Sequence, residues 1–253
     1  MMNTPTLELI HQHGSVRNYK PDSVSEDLIR QIVAAGQRAS TSSNLQTYSV
    51  VVTTDSEKKL KLQQISGGQK HISQAPVFLL WCADFNRLKR VCEHQGYDLE
   101  PGYVENFMVG TVDAAITMQN AALAAESLEL GFCFIGSIRN APWEVIQMFQ
   151  LPELVYPVAG MTLGWPVEPP IIRPRLPLDA VLHWEIYQQD DLLFLEEYDQ
   201  TMIKTGIYDG RQVDQQDQAP ASYGWLEHSA RRSSKPSRPH LRESILKSGF
   251  LLE

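Results

Sequence analysis

The stretch from Val104 to Leu130 narrows the choice of fold more than any other part of this 253-residue chain. Phe107, Met108, Val112, Ala115, Ile116, Ala122 and Leu123 recur at helical spacing, and Gly131 marks the stop. The stretch is apolar on more than one side and poor in charge, so the helix has little polar face to offer water. Gly110, Ala114, Ala115, Ala121, Ala122, Ala124 and Ala125 allow a neighbour to approach closely. Such a helix belongs in the middle of something: either one domain buries it, or two subunits meet along it.

Apolar runs elsewhere supply a sheet. Pro76 to Ala83 is continuously apolar, the pattern of a central strand covered on both faces. Tyr48–Thr53 is β-branched and reads as a buried strand, Leu154–Pro166 as another, and Gly131–Ile135 as a strand ending in Gly136-Ser137. Ser25 is placed to cap a helix bearing Leu28, Ile29, Ile32 and Val33, whose Ala34-Ala35-Gly36 end keeps one face thin. Asp55–Ile65 predicts an amphipathic helix with Leu60, Leu62 and Ile65 as its apolar residues, stopped by Gly67-Gly68. Arg87 to Gly102 reads as polar and irregular, and 203–220 as a mobile surface loop. Helical character then returns, chiefly over Leu241–Leu252.

Composition excludes several classes. A hydrophobic share of 43% and a charged share of 21% rule out global disorder. No apolar run reaches membrane-span length and the first residues lack a signal-peptide core, so we expect a cytoplasmic protein with no membrane partner. Cys82, Cys92 and Cys133 are odd in number and form no zinc-like grouping, which predicts free thiols and no metal site. A net charge of −8 argues against nucleic acid. The last residues differ: Arg231, Arg232, Lys235, Arg238, Arg242 and Lys247 face only Glu243 and Glu253. A basic end on an acidic body is an arm that folds back on the body or on a second subunit.

The candidate chemistry begins at His13-Gly14-Ser15-Val16-Arg17. In an extended segment His13, Ser15 and Arg17 point the same way, and Gly14 permits close backbone approach. A hydroxyl, an imidazole and a guanidinium suit phosphate oxygens, although a solvated turn has the same composition. Arg173-Pro174-Arg175 holds two guanidinium groups on a proline-stiffened stretch, which fits an anion site or a solvated linker equally. The cluster Ser40-Thr41-Ser42-Ser43-Asn44 lies at the mouth of a strand, where hydroxyls cap turns or line a polar ligand such as a ribityl chain. The glycine turn explains Gly67-Gly68 but not Gln69, and a glycine at the end of the 131–135 strand lets a flat ring lie against the backbone. The G-x-G-x-x-G, P-loop, H-E-x-x-H and G-x-S-x-G motifs are all missing, and no carboxylate pair stands out. Donors and cations without a protein nucleophile fit a cofactor that carries the chemistry itself.

Several motifs in order resemble the nitroreductase superfamily: His13-Gly14-Ser15-Val16-Arg17, the hydroxyl cluster, Gly67-Gly68-Gln69-Lys70-His71, Ala83-Asp84-Phe85-Asn86-Arg87, Ile135-Gly136-x-Ile138-Arg139-Asn140, Leu163-Gly164-Trp165-Pro166 and Pro174-Arg175-Leu176-Pro177. They look most like the oxygen-insensitive NADPH nitroreductase and NADPH flavin reductase branch, from about Thr6 to Tyr198. The resemblance implies an α+β fold with a mixed, mainly antiparallel sheet flanked by helices, in an intertwined homodimer with FMN at the interface. Residues 1–200 would form the FMN-binding domain, and 201–253 a mobile loop and basic extension on the body or the partner subunit.

Carried over by position, His13, Ser15, Arg173 and Arg175 would meet the phosphate or ribityl end of FMN, with Gly14 and Val16 as backbone neighbours. Arg17 and Gln69 would face the pyrimidine edge, Thr41 would touch the flavin, and Phe134, Ile135, Gly136 and Ser137 would line the ring. NADPH, with NADH as the alternative, would be the co-substrate, its 2′-phosphate held by Lys204 and Arg211. The implied activity is two-electron, ping-pong hydride transfer through flavin N5 to small flat oxidants such as nitroaromatics, quinones or flavins. No catalytic side chain is required, since solvent supplies protons, and Arg17 tunes the ring. The alternative is a flavin-binding redox sensor or storage protein with little turnover. This chain departs from close relatives at Gly14, where they often carry Arg, at Arg173, where they often carry Lys, and at Phe134–Ser137, which replaces a Tyr-x-Gly-Gly pattern.

Overall fold

A computed structural model describes residues 3–100, 103–210, 213 and 222–253. It contains α1 (Pro5–His11), α2 (Glu26–Gly36), β1 (Tyr48–Thr53), α3 (Ser56–Ile65), α4 (His71–Gln74), β2 (Val77–Asp84) and α5 (Asn86–Gln95). The order continues with α6 (Val104–Ser127), β3 (Gly131–Ile135), α7 (Pro142–Phe149), β4 (Val155–Gly164), α8 (Leu192–Lys204), α9 (Trp225–Ser233) and α10 (Leu241–Lys247). These form two compact units, one of residues 1–171 with 240–253 and one of residues 172–239.

In the first unit the four strands make one antiparallel sheet in the order β1-β2-β4-β3. The α+β architecture implied by the resemblance is present, with β2 and β4 central and buried along their whole lengths. The two-residue period of β2 divides the core. Val77, Leu79, Trp81 and Ala83 join Ile29, Ile32, Ala114, Ala121 and Met161 on the side of α2 and α6. Phe78, Leu80 and Cys82 join Leu62, Ile72, Ile138 and Val145 on the other. The ladder slips between Trp81, opposite Ala159, and Cys82, opposite Pro157. Pro157 has no N–H to donate, and a bulge is where a central strand tolerates it.

α6 buries Gly110, Asp113, Ala114, Thr117, Met118, Ala121, Ala122 and Ala125. The thin end of α2 works as its sequence implies: a Cβ on Gly36 would lie 3.0 Å from the Thr117 carbonyl oxygen. α6 ends three residues before Leu130 because Glu129 turns into the left-handed region at φ 65° and Leu130 N–H returns to Ala125 O. Val104, Met108, Val112 and Ile116, spaced by one turn, remain exposed. No described helix is long and apolar enough to cross a membrane.

Three local readings need correction. The 87–102 stretch is not wholly irregular: Asn86–Gln95 is helical and closes on Gly96 in the left-handed conformation. On α3 Leu60 is exposed, and Lys59 is buried instead. The aliphatic stem of Lys59 packs inward while its ammonium donates to Ala75 O at 2.7 Å and Pro76 O at 3.3 Å. Burial lowers the pKa of that ammonium, with Asp55 opposing. The helical part of the C-terminus is divided between α9 and a shorter α10. Around α10 the chain packs on the first unit: Ile245 and Phe250 are buried with Phe85, Ile146 and Tyr156, and Lys247 Nζ lies 4.1 Å from the centroid of the Trp143 ring.

In the second unit α8 meets α9 through Asp199, whose Oδ1 accepts from Leu226 N at 2.7 Å. The Tyr198 and Trp225 rings pack edge to face, 5.4 Å apart. Of the proposed mobile loop over 203–220, Ile203 and Lys204 are instead the end of α8, and half of the stretch lies outside the described residues.

Candidate functional site

The His13–Arg17 segment runs beside β3, with Val16 N donating to Phe132 O at 2.8 Å. Gly14 and Val16 are buried and Arg17 is exposed, with His13 and Ser15 between these extremes. Two absent side chains make room for it. A Cβ on Gly131 would overlap the Val16 methyls, and one on Gly14 would lie 2.6 Å from the Ile171 carbonyl oxygen. An arginine at position 14 would therefore displace the Pro170–Ile171 backbone.

His13 is fixed on two sides. Its Nδ1 lies 2.6 Å from Glu126 Oε1, and its ring stacks on Phe132 at 5.2 Å between centroids. Pairing at Nδ1 leaves Nε2 for a ligand. Sequence reading gave Glu126 no role; it stands with Glu129 at the end of an alanine-rich helical stretch.

Arg17 sets the electrostatics on the other side. Burial raises the Cys133 thiol pKa, and Arg17 and Ser15 beside it pull it back. Burial lowers the His71 pKa, and the Arg17 charge lowers it further. Tyr19, whose hydroxyl donates to Val16 O at 2.8 Å and meets Thr162 Oγ1 at 2.7 Å, is raised mainly by burial. Arg17 therefore lies close enough to bias both β3 and the turn that carries Gln69.

That turn forms because Gly67 and Gly68 adopt φ values of 75° and 80°. It delivers Gln69 to Ser137: Gln69 Nε2 donates to Ser66 O at 2.9 Å and to Ser137 Oγ at 2.7 Å. Ser137 lies in a 3-10 turn, Gly136–Asn140, directly after β3. Phe134 is half-buried, its ring 4.9 Å from that of Phe132, and Ile135 is buried.

Thr41 precedes a short 3-10 turn, Ser42–Asn44, in which the hydroxyl cluster is bent sharply. Ser43, Asn44 and Gln46 all have positive φ, at 47°, 56° and 54°. Asp113 of α6 holds this conformation. Its Oδ1 accepts from Ser42 N at 3.0 Å, and its Oδ2 from Thr47 N at 3.1 Å and Thr47 Oγ1 at 2.8 Å. Asp113 is a second carboxylate that sequence reading missed, and it positions the Thr41 loop.

Arg173 and Arg175 belong to the second unit, where Arg175 Nη1 donates to the carbonyls of Arg173 and Pro174 at 3.2 and 3.3 Å. Lys204 is the exposed last residue of α8, and Arg211 lies outside the described residues. Among the described residues no group of three or more His, Cys, Asp or Glu could hold a metal.

Two family models divide the chain near the boundary between the compact units: the nitroreductase family matches residues 10–165, and the nitroreductase family C-terminal domain matches residues 173–253. The chain is 36% identical over 247 residues to an oxygen-insensitive NADPH nitroreductase of Salmonella typhimurium, covering 98% of each sequence. It is 36% identical over 251 residues to a Bacillus subtilis FMN reductase (NAD(P)H), again covering 98% of each. Its fold matches the structure of B. megaterium NfrA2 with a TM-score of 0.91 at 35% identity, covering 100% of both chains. Matches of this length and identity, on a fold whose donors and cations gather beside β3, place the chain in the nitroreductase family.

Proposed function

We propose that the chain is an FMN-dependent NAD(P)H oxidoreductase that reduces nitroaromatics, quinones or flavins in two-electron steps by a ping-pong cycle. The observation that carries this reading is the set Ser15, Arg17, Gln69 and Ser137, a cation and hydrogen-bonding groups on the segment beside β3, the Gly67-Gly68 turn and the 3-10 turn that follows β3. Those groups fit FMN, which asks for donors and a cation at its phosphate and for donor and acceptor groups at its pyrimidine edge. The names of the Salmonella and Bacillus relatives support NADPH and FMN as the reductant and flavin.

When bound, FMN supplies the hydride chemistry at its N5. The residues around it bind, orient and polarise. His13 and Ser15 hold the phosphate end, with Arg173 and Arg175 proposed as further phosphate ligands on their chemistry alone. Arg17 places a fixed positive charge at the pyrimidine edge, where it favours added negative charge on the ring. Thr41 contacts the flavin from the loop that Asp113 holds. Phe134, Ile135 and Gly136 line the ring. Protons come from solvent, so no side chain is assigned as a catalytic acid. Lys204 and Arg211 are proposed for the 2′-phosphate of NADPH, and NADH is the alternative donor.

We also propose a homodimer. Val104, Met108, Val112 and Ile116 form an exposed apolar row on α6 that water does not favour, and a second copy would cover it. A cytoplasmic location agrees with the free thiols of Cys82, Cys92 and Cys133. Purification followed by FMN reconstitution tests the reading. One tightly bound flavin per chain, reducible by NADPH and reoxidised by a quinone or nitroarene, is the expected result. Absence of bound flavin would sink it, and reduction without reoxidation by either oxidant would favour a sensor or storage protein.

A further inference from the structure

Ser66 O is a carbonyl and can only accept, so the atom of Gln69 facing it at 2.9 Å is the amide nitrogen. The same nitrogen lies 2.7 Å from Ser137 Oγ. An amide nitrogen carries two hydrogens, and these two contacts consume both. Gln69 is left with its carbonyl oxygen as the free group. Ser137 accepts from Gln69 and therefore keeps its own hydroxyl hydrogen to give. Neither the Gln69 Oε1 atom nor the Ser137 hydroxyl hydrogen has a partner among the described residues.

We propose that Ser137 is a specificity-determining binding residue: it locks Gln69 as an acceptor and sets its own hydroxyl beside it as a donor. An acceptor next to a donor matches a ligand edge that presents N–H next to C=O. The pyrimidine ring of a flavin has that edge at N3–H and C4=O, while Arg17 is assigned to the opposite carbonyl. This assignment rests on the FMN reading above. It makes Ser137 more than a lining residue, because a side chain without a hydroxyl would release one Gln69 N–H and replace the acceptor-donor pair with a mixed one.

The test compares FMN-reconstituted wild-type protein with Ser137→Ala and Ser137→Thr, using FMN dissociation constants and the infrared C4=O stretch of the bound flavin. Ser137→Ala is expected to weaken FMN binding about fivefold, the worth of one neutral hydrogen bond, and to move the C4=O band to higher wavenumber. Ser137→Thr keeps a hydroxyl and should restore both. Because residue 137 lies in a short turn, urea midpoints of the flavin-free proteins separate a folding defect from lost recognition, and the band position reports the hydrogen bond directly. Wild-type affinity together with an unshifted band in Ser137→Ala would overturn the proposal and leave the FMN reading standing. Failure of the wild-type protein to bind FMN would overturn that reading and this one with it.

Discussion

Asp113→Ala removes at one stroke the three hydrogen bonds that hold residues 42–47 against α6. Two of the donors are backbone N–H groups, and Thr47 is fully buried. Leaving the buried Thr47 N–H unsatisfied costs about 1–3 kcal/mol, and the Ser42 N–H, on an exposed residue that water can reach, adds about 1 kcal/mol, so the loss is about 2–4 kcal/mol, the Thr47 hydroxyl being free to turn. The positive φ values of Ser43, Asn44 and Gln46 add strain of order 1 kcal/mol each that the Asp113 bonds hold in place. Without those bonds the loop can relax and admit water, which caps the loss near the lower figure. Asp113→Asn is the discriminating control. Its amide oxygen can keep both Thr47 bonds while its NH2 faces Ser42 N–H, so it should lose about 1–2 kcal/mol. Urea unfolding gives the two losses, and hydrogen exchange of the Ser42 and Thr47 amides shows where they arise. Both amides should lose protection in the alanine variant, and only Ser42 in the asparagine variant. Protection retained at both amides in Asp113→Ala, or a stability loss below about 1 kcal/mol, would refute the role given to this carboxylate.

Three further outcomes follow from the same geometry. Burial, and then the Arg17 charge, depress the folded-state pKa of His71, so below pH 6.5 the unfolded chain binds more protons than the folded one. Stability should therefore fall as pH drops from 6.5 toward that depressed value, and His71→Gln should flatten this slope in urea midpoints measured between pH 7.5 and 5. Gly131→Ala should cost about 1–3 kcal/mol by driving a methyl into Val16, and Val16→Ala in the same chain should recover part of it, as a double-mutant cycle in thermal unfolding would show. Val112→Arg, on the exposed row of α6, should shift the protein toward monomer in sedimentation velocity at micromolar concentration; a dimer of unchanged strength would remove that row from the proposed interface.

Much of the scaffold was legible because apolar continuity is a strong signal. β2 and β4 lie where their uninterrupted runs imply, and α6 follows from its small, charge-poor sequence. α5 was not legible, since Asn86–Gln95 has only Leu88, Val91 and Cys92 as apolar residues among charged and polar ones, and none of them is buried. Leu60 was read as inward on α3 and Lys59 was missed, because a lysine can bury its stem while its ammonium finds carbonyls three-dimensionally close but distant in sequence. Alternation puts His13, Ser15 and Arg17 on one side of an extended segment, whereas His13 meets Phe132 and Glu126, and Ser15 and Arg17 lie beside Cys133, the next residue of β3; what fixes each of them could not be read from the sequence. The Glu126 contact spans 113 residues, and the space over Gly131 exists only once β3 lies beside Val16. Gln69 stood out as unexplained by its turn, yet which of its amide atoms is free depends on Ser66 O and Ser137, a matter of three-dimensional placement alone.

The central claim is that this chain holds FMN and passes two electrons through it from a nicotinamide donor. Anaerobic titration of the FMN-reconstituted protein with NADPH, followed at the flavin absorbance maximum, tests it most directly. The account predicts complete bleaching at one equivalent of NADPH per flavin, in a single transition, and full recovery of the colour on adding a quinone or a nitroarene. A flavin that stays oxidised with both NADPH and NADH would contradict it.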